Sequence, residues 1–224
     1  MESFGINNVK ITWLRHASVM IEYEDKVIYI DPYQVPEGKK ASLILITHEH
    51  FDHCDPESVK ILADENTTIV APEDCLSKID NKYKKIGIKP FETKEIDGIK
   101  IETIPAYNFH RFREPGKPFH PKENNWVGYI IEINNTRIYH AGDTDLIPEM
   151  KQLENIDVAL LPIGGTFTMD VKEASELANM IKPKYVVPIH YNTWPQIVAN
   201  VREFEKLVEN SEVVVLEPKF KYTE

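Results

Sequence analysis

Cysteine is almost absent from this chain: two occur among 224 residues, at Cys54 and Cys75. A chain of this length buries enough surface to fold without cross-links, so we expect no disulfide framework. No apolar run approaches the roughly 20 residues that a membrane-spanning helix needs, and residues 1–10 lack the apolar stretch of a secretion signal. We therefore expect a cytoplasmic protein with no membrane span.

Positive charge is also in short supply. Asp and Glu number 36 against 26 Lys and Arg, which gives a net charge of −10. A general attraction to a phosphate backbone is therefore missing, and nucleic acid is disfavoured as a partner. No linker rich in Gly, Ser or Pro and no repeat interrupts the chain, so we expect a single domain over residues 1–224.

Hydrophobic patterning predicts both strands and helices. The strands are predicted at residues 9–14, 18–23, 26–31, 42–47, 68–71, 86–90, 99–104, 127–133, 136–141, 158–162, 185–189 and 212–216. The run at residues 42–47 is almost continuously apolar, as in a strand buried on both faces. Helices are predicted after the N-cap pair Asp55-Pro56 and at residues 171–181 and 195–208. An α+β domain follows from this order.

Four side chains that can bind a metal ion lie within six residues, directly after the apolar strand at residues 42–47. They are His48, His50, Asp52 and His53. Imidazole nitrogens and carboxylate oxygens are donors that Zn²⁺ accepts. A loop can turn all four into one volume, whereas a straight strand or helix cannot do so at these offsets. The pattern predicts a metal site; the alternative is a solvated polar loop with coincidental histidines.

This cluster resembles the signature of the metallo-β-lactamase superfamily, His-x-His-x-Asp-His. Trp13-Leu14-Arg15-His16-Ala17-Ser18 and Ile30-Asp31-Pro32 resemble the amino-terminal pattern of one of its branches. That branch contains ascorbate-6-phosphate lactonase and the phospholipase D that cleaves N-acylphosphatidylethanolamine. Ala141-Gly142-Asp143-Thr144 and Ile189-His190-Tyr191 resemble two later superfamily motifs. The motifs follow in the expected order over nearly the whole chain.

The resemblance implies a four-layer αββα sandwich, with two mixed sheets face to face and helices outside. It also implies a hydrolase with two divalent metal ions, most readily Zn²⁺, although Mn²⁺ or Fe²⁺ suits the same ligands. A metal-bound hydroxide would attack a phosphodiester, a lactone or another ester in a small anionic substrate. The alternatives are a metal-dependent nuclease and a non-catalytic metal-binding or sensing protein on the same fold.

Six residues form the metal site that the resemblance implies. His48 and His50 would bind one metal, Asp52, His53 and His190 the other, and Asp143 would bridge them. Together they would hold and activate the hydroxide, and Asp52 or a neighbouring group would relay the proton. The third histidine of the first metal is not at its family position, where this chain has Asn108. Either His110 or His120 replaces it, or the first metal site is weaker or empty; we favour His120.

Residues 107–126 form the longest irregular stretch, and loops of this length are commonly lids or binding loops. Basic and aromatic residues alternate along it, which suits an anionic substrate with a flat or apolar part. The substrate contacts predicted from this loop and from the amino-terminal motif are His16, Asn108, His110, Arg111, Arg113 and His120. The alternative is that the aromatics cover the edge of a core.

Asp31 closes a predicted strand and precedes a proline. It is predicted either to accept a hydrogen bond from a metal-binding histidine or to serve only as a turn residue.

Overall fold

The computed structural model describes residues 1–221. The chain divides into two compact units. The first unit comprises residues 1–89 together with the described residues from Leu216 onward, and the second comprises residues 90–215. Each unit contains one mixed, seven-stranded sheet. The single domain expected over residues 1–224 stays a prediction.

The strands of the first unit follow one another across the sheet in chain order. They are β1 (Ser3–Ile6), β2 (Val9–Arg15), β3 (Ser18–Tyr23), β4 (Lys26–Ile30), β5 (Leu43–Leu45), β6 (Thr68–Ala71) and β7 (Lys84–Gly87). The first four are antiparallel and joined by tight turns, whereas β4 to β7 run parallel. Because β4 and β5 are parallel, the residues that follow them emerge at the same edge of the sheet.

Two helices cover one face of this sheet, α1 (Pro56–Leu62) and α2 (Glu73–Leu76). The Asp55 side chain accepts a hydrogen bond from the backbone N–H of Glu57, which caps the first turn of α1 as the sequence predicts. Val59 and Leu62 of α1 join alternate residues of the central strands in the buried core of the unit. This burial fixes α1 immediately after the histidine-rich loop.

The second unit contains the remaining nine strands. They are β8 (Thr93–Ile96), β9 (Ile99–Pro105), β10 (Phe112–Glu114), β11 (Lys117–Pro118), β12 (Val127–Ile133), β13 (Thr136–His140), β14 (Val158–Pro162), β15 (Tyr185–Ile189) and β16 (Glu212–Val213). The sheet order is β16-β15-β14-β13-β12-β9-β8, and β10 and β11 form a separate hairpin. Strands β13 to β16 are parallel and the others antiparallel. The carboxyl ends of β9, β13, β14 and β15 therefore share one edge.

Helices α3 (Val171–Ile181) and α4 (Val201–Leu207) pack against each other, and α3 also contacts β14. Asp170 and Glu173 form the capping box of α3 that the sequence predicts. Short 3₁₀ turns lie at Lys122–Asn124, Pro148–Gln152 and Pro195–Ile197. Within residues 1–221, no helix is both long and apolar enough to cross a membrane.

Several predicted elements need correction. The helix predicted at 195–208 is wrong at its start, because Asn200 caps a new helix by accepting a hydrogen bond from Glu203 N–H. The strand predicted at 86–90 is β7, two residues earlier, where it pairs with β6. The strands predicted at 42–47 and 212–216 are shorter, and β1, β8 and α2 were not predicted. The 107–126 stretch includes the β10–β11 hairpin.

Candidate functional site

Most of the predicted functional residues fall into two clusters, one in each unit, and each cluster contains one residue that was not predicted, Thr47 or Asp145. The amino-terminal cluster consists of His16, Asp31, Thr47, His48, His50, Asp52 and His53. The carboxyl-terminal cluster consists of Asn108, His120, Asp143, Asp145 and His190.

The loop of the amino-terminal cluster is wound into a tight turn. The backbone N–H groups of His53 and Cys54 both donate to the carbonyl of His50, at 3.0 and 2.8 Å. His48, Asp52 and His53 are buried, whereas His50 is half-buried. The turn thus draws all four side chains of the motif towards one side of the loop.

Asp31 holds the loop from the neighbouring strand end. Its Oδ1 accepts a hydrogen bond from Thr47 N–H, and its Oδ2 accepts from Thr47 Oγ1, each at 2.7 Å. The Nδ1–H of His53 also donates to Oδ2, at 2.7 Å. The prediction that Asp31 accepts a hydrogen bond from a histidine of the motif is confirmed. The residue is fully buried, and its backbone lies in the left-handed region with φ 46°.

These contacts assign the tautomers of two histidines. A carboxylate only accepts, so His53 must carry its proton on Nδ1 and, when neutral, a lone pair on Nε2. The single hydroxyl proton of Thr47 is used on Asp31. The 2.9 Å contact between Thr47 Oγ1 and Nδ1 of His48 must then take its proton from the imidazole. His48 therefore also presents a lone pair on Nε2.

Asp52 is oriented by His16, which occupies the turn between β2 and β3 with φ 50°. Nε2 of His16 lies 3.0 Å from Oδ2 of Asp52, and both side chains are buried. The same oxygen lies 3.5 Å from Nε2 of His53. The predicted substrate contact of His16 stays a prediction, and its observed partner is this carboxylate.

The donor atoms of the amino-terminal cluster fit a divalent cation. Nε2 of His48 lies 3.1 Å from Nδ1 of His50, and the His48 and His53 rings are 4.0 Å apart between centroids. Nitrogen and carboxylate donors in this combination are those of zinc sites. Asp31 lies within reach of the same imidazoles, but both of its oxygens already accept hydrogen bonds from Thr47 and His53, so its observed role is to hold these side chains in place.

The carboxyl-terminal cluster collects at the shared strand edge of the second unit. Asp143 follows β13 through Gly142, whose φ is 64°, and His190 follows β15 with φ 53°. Gly164 allows the His190 turn to approach β14, because a Cβ at position 164 would lie 2.5 Å from the His190 carbonyl oxygen. Oδ2 of Asp143 lies 3.2 Å from Nε2 of His190 and 3.3 Å from Nε2 of His120.

The side chain of Asn108 contacts His120. Its Oδ1 accepts from the backbone N–H of His120 at 3.0 Å and lies 2.6 Å from Nδ1 of the same residue. Its Nδ2 donates to Asp145 and to the carbonyl of Phe167. Of the three candidates for the missing ligand, His120 is the one whose ring faces Asp143. An imidazole nitrogen and a carboxylate oxygen 3.3 Å apart are donors of the kinds that bind one divalent cation.

His110 and Arg111 belong to an ion-pair network. Arg111 donates to Asp145 at 2.6 Å, to the Gly165 carbonyl at 2.7 Å and to Glu173. Burial, the largest influence, lowers the pKa of Arg111, but its bonds to Glu173 and Asp145 more than offset this and raise it. His110 is 43% exposed and lies 2.9 Å from Glu173. Substrate contacts of both residues stay predictions.

The other basic residues of the loop are largely paired. Lys117 contacts Glu114 and Lys122 contacts Glu149, each at 2.7 Å. Arg113 lies over the ring of Phe119, 5.8 Å from its centroid. Its predicted role in anion binding stays a prediction.

Two functional residues received no role from the sequence. Thr47 links Asp31 to His48, and Asp145 holds the amide of Asn108. The available signals were weak: a hydroxyl directly before the first histidine, and a second aspartate two residues after Asp143.

Comparison with known proteins agrees with these motifs. Residues 10–190 match the family described as β-lactamase superfamily domain. A UPF0173 metal-dependent hydrolase of Thermococcus onnurineus is 41% identical over 226 residues, covering 94% of this chain and 97% of the relative. A crystal structure of a metal-dependent hydrolase from Parabacteroides distasonis has a TM-score of 0.82 at 34% identity, covering 96% of this chain and 97% of the other.

A second solved structure, Igni18, described as a metallo hydrolase of the archaeon Ignicoccus hospitalis, matches with a TM-score of 0.77 at 29% identity. It covers 96% of this chain and 99% of the other. The α+β class and the metallo-β-lactamase type of the fold, both predicted from the sequence, are confirmed. The chain belongs to the metallo-β-lactamase superfamily, as a member of the UPF0173 family of metal-dependent hydrolases.

Proposed function

We propose that the two clusters bind one pair of divalent metal ions, and that the protein hydrolyses a phosphodiester, a lactone or another ester in a small anionic substrate. The pairing of the clusters rests on the order of the family motifs along the chain. The choice of bond and substrate rests on the resemblance of residues 13–18 and 30–32 to the lactonase and phospholipase D branch. Zn²⁺ is the cation proposed, because imidazole and carboxylate ligands favour it.

One observation carries the proposal: the backbone turn at His50 and the hydrogen bonds of Asp31 hold the histidines of the amino-terminal cluster in the tautomers that bind a cation. His48 and His53 each hold a proton on Nδ1 and keep the Nε2 lone pair, which is the form in which imidazole binds metal. Asp31 and Thr47 fix these tautomers before any ligand arrives. A solvated polar loop with coincidental histidines would not be expected to have two buried imidazoles with their tautomers fixed in this way.

Asp143 and the histidines around it supply the remaining ligands in this proposal. Nε2 of His190 and Nε2 of His120 both lie within 3.3 Å of Oδ2 of Asp143, so metal-binding nitrogens from two loops meet at one carboxylate oxygen. His120 takes the position of the third histidine of the first metal.

A bound divalent cation would lower the pKa of a coordinated water and neutralise charge on the attacked group. The chain's own residues then position and move protons. Oδ2 of Asp52 lies 3.0 Å from Nε2 of His16, so a proton taken up by this carboxylate can be shared with a buried imidazole.

The test combines metal analysis with turnover. We expect the purified protein to bind two metal equivalents and to cleave bis(p-nitrophenyl) phosphate or a simple lactone. His53→Gln and His190→Gln should each weaken binding of the metal pair and abolish turnover. A matched control is Asp64→Asn, which alters a turn carboxylate bonded to Asn66 N–H and should change neither property.

Three results would contradict parts of the proposal. Metal binding at His53 that is unaffected by His190→Gln would show that the clusters act separately. Bound metal with no turnover across a broad ester panel would favour a metal-sensing protein. Cleavage of single-stranded RNA with strongly salt-dependent binding would favour a nuclease.

A further inference from the structure

Asn108 stands where the family places a metal-binding histidine, yet its side chain is almost fully buried, with 3% exposure. All of its hydrogen-bonding groups have partners. The Nδ2 group donates to Asp145 Oδ1 at 2.8 Å and to the Phe167 carbonyl at 3.0 Å. Both partners only accept, so the orientation of the amide is fixed and Oδ1 must face His120.

The facing contacts decide the protonation of His120. Amide Oδ1 accepts from the backbone N–H of His120 at 3.0 Å, and lies 2.6 Å from Nδ1 of its ring. An amide oxygen cannot donate, so the proton lies on Nδ1 and the neutral ring keeps a lone pair on Nε2. That atom faces Oδ2 of Asp143 at 3.3 Å.

The alternative neutral tautomer of His120 would have no lone pair on Nε2 for a metal ion. With its proton on Nε2, His120 would donate to the Asp143 carboxylate and form a hydrogen bond between two side chains that are both needed as ligands. A metal ion would then have to displace this proton. The acceptor at Asn108 disfavours that state of the neutral ring.

Asp145 keeps the amide in place. Its Oδ2 accepts from the backbone N–H groups of Phe109 and His110, at 2.8 and 3.1 Å. Its Oδ1 is shared between Asn108 and Arg111, which is itself bonded to Glu173. The carboxylate is fully buried, so its orientation is set by these donors.

The geometry points to Asn108 as a positioning residue that, oriented by Asp145, sets the tautomer of His120 and so prepares it to bind metal. The link to metal rests on the proposed function, whereas the tautomer does not. In this proposal His120 replaces the missing histidine as a ligand, and Asn108 holds His120 in the tautomer that binds metal.

The test uses three substitutions in the full-length protein. Asn108→Leu has nearly the same shape and removes the acceptor. Asn108→Asp keeps an acceptor for the Nδ1 proton but places a carboxylate against Asp145. Asn179→Leu is the control, because Asn179 likewise bonds two backbone groups, Leu207 C=O and Glu209 N–H, away from the cluster.

The first measurement is the ¹⁵N NMR spectrum of the histidine rings in metal-free protein, recorded at a pH high enough to keep the imidazoles neutral, with the His120 signal assigned by its loss in His120→Gln. We expect the Nδ1–H tautomer in the wild type, in Asn108→Asp and in Asn179→Leu, and a shift towards the Nε2–H form in Asn108→Leu. The second is zinc affinity by chelator competition. Asn108→Leu should bind tenfold to a hundredfold more weakly, as expected for a group that orients a ligand, and Asn108→Asp should recover most of the loss.

If Asn108 served only to stabilise the fold, the variants would rank differently. Asn108→Asp adds like-charge repulsion with Asp145, so its tautomer shift and its loss of zinc affinity should then be at least as large as those of Asn108→Leu. A folded Asn108→Leu protein that retains the Nδ1–H form would overturn the inference. If the wild type bound no zinc while the NMR result held, the proposed function would fail and the tautomer assignment would stand.

Discussion

Asp31 offers the most demanding test of the amino-terminal cluster. Three donors converge on its carboxylate: Thr47 N–H, Thr47 Oγ1–H and His53 Nδ1–H. Asp31→Asn keeps the shape and replaces one acceptor oxygen with an NH₂ group. Asparagine tolerates the left-handed backbone at this position, so the substitution adds no backbone strain.

Either orientation of the new amide leaves a conflict. If the NH₂ group takes the place of Oδ1, it meets the N–H of Thr47, donor against donor. If it takes the place of Oδ2, His53 must move its proton to Nε2. Thr47, no longer bonded to a carboxylate, can then donate to Nδ1 of His48, so His48 also loses its Nε2 lone pair.

We therefore expect zinc affinity to fall by about 10- to 100-fold, which corresponds to about 1.4–2.7 kcal/mol. The free energy of unfolding should also fall by about 1.5–3 kcal/mol, the range for one hydrogen bond to a charged group. Chelator competition and urea denaturation measure the two quantities, and ring ¹⁵N NMR follows the tautomers. Asp64→Asn serves as the control. Wild-type zinc affinity in Asp31→Asn, with His53 still protonated on Nδ1, would refute the reasoning.

Two further predictions concern the second unit. Glu102 has a pKa below its usual 4.5, mainly because of its hydrogen bond to Arg137. Glu102→Gln should therefore lower the free energy of unfolding by about 0.5–1 kcal/mol at pH 7. In urea denaturation, this difference from the wild type should vanish as the pH falls below about 4.5 and Glu102 becomes protonated. A pH-independent difference would rule out this account. Gly128→Ala would place a Cβ 2.9 Å from the Ala141 carbonyl oxygen, and should lower the free energy of unfolding by about 1–3 kcal/mol. The control is Gly5→Ala, whose Cβ meets nothing nearer than 3.9 Å and which should lower it less. Equal losses in the two variants would contradict the steric argument.

The sequence alone predicted much of the local structure. Strands at 18–23, 68–71, 127–133, 158–162 and 185–189 and the helix at 171–181 have the predicted bounds. These segments carry their own signals, because apolar periodicity, turn residues and capping side chains act within a few positions. The helix predicted at 195–208 failed where a local competitor, the Asn200 cap, ended the pattern.

The candidate metal-binding motif could also be recognised from the sequence, since its four candidate ligands lie within six residues after one strand. The partners that fix their protonation were harder to identify. Asp31 was one of two alternatives, and Thr47 and Asp145 had no assigned role. Their contacts join residues 16 and 37 positions apart, for Asp31 with Thr47 and for Asn108 with Asp145.

His120 illustrates the same limit. The sequence left Asn108, His110 and His120 as candidates, and only the tertiary structure separated them, by burying Asn108 against Asp145 and drawing His110 to Glu173. The sequence determined which chemical groups the chain carries and the order of its strands. Which donor pairs with which acceptor was decided by the tertiary structure, where strand ends meet at a sheet edge. A hydrogen bond depends on distances of a few tenths of an ångström, and no local sequence pattern encodes these distances.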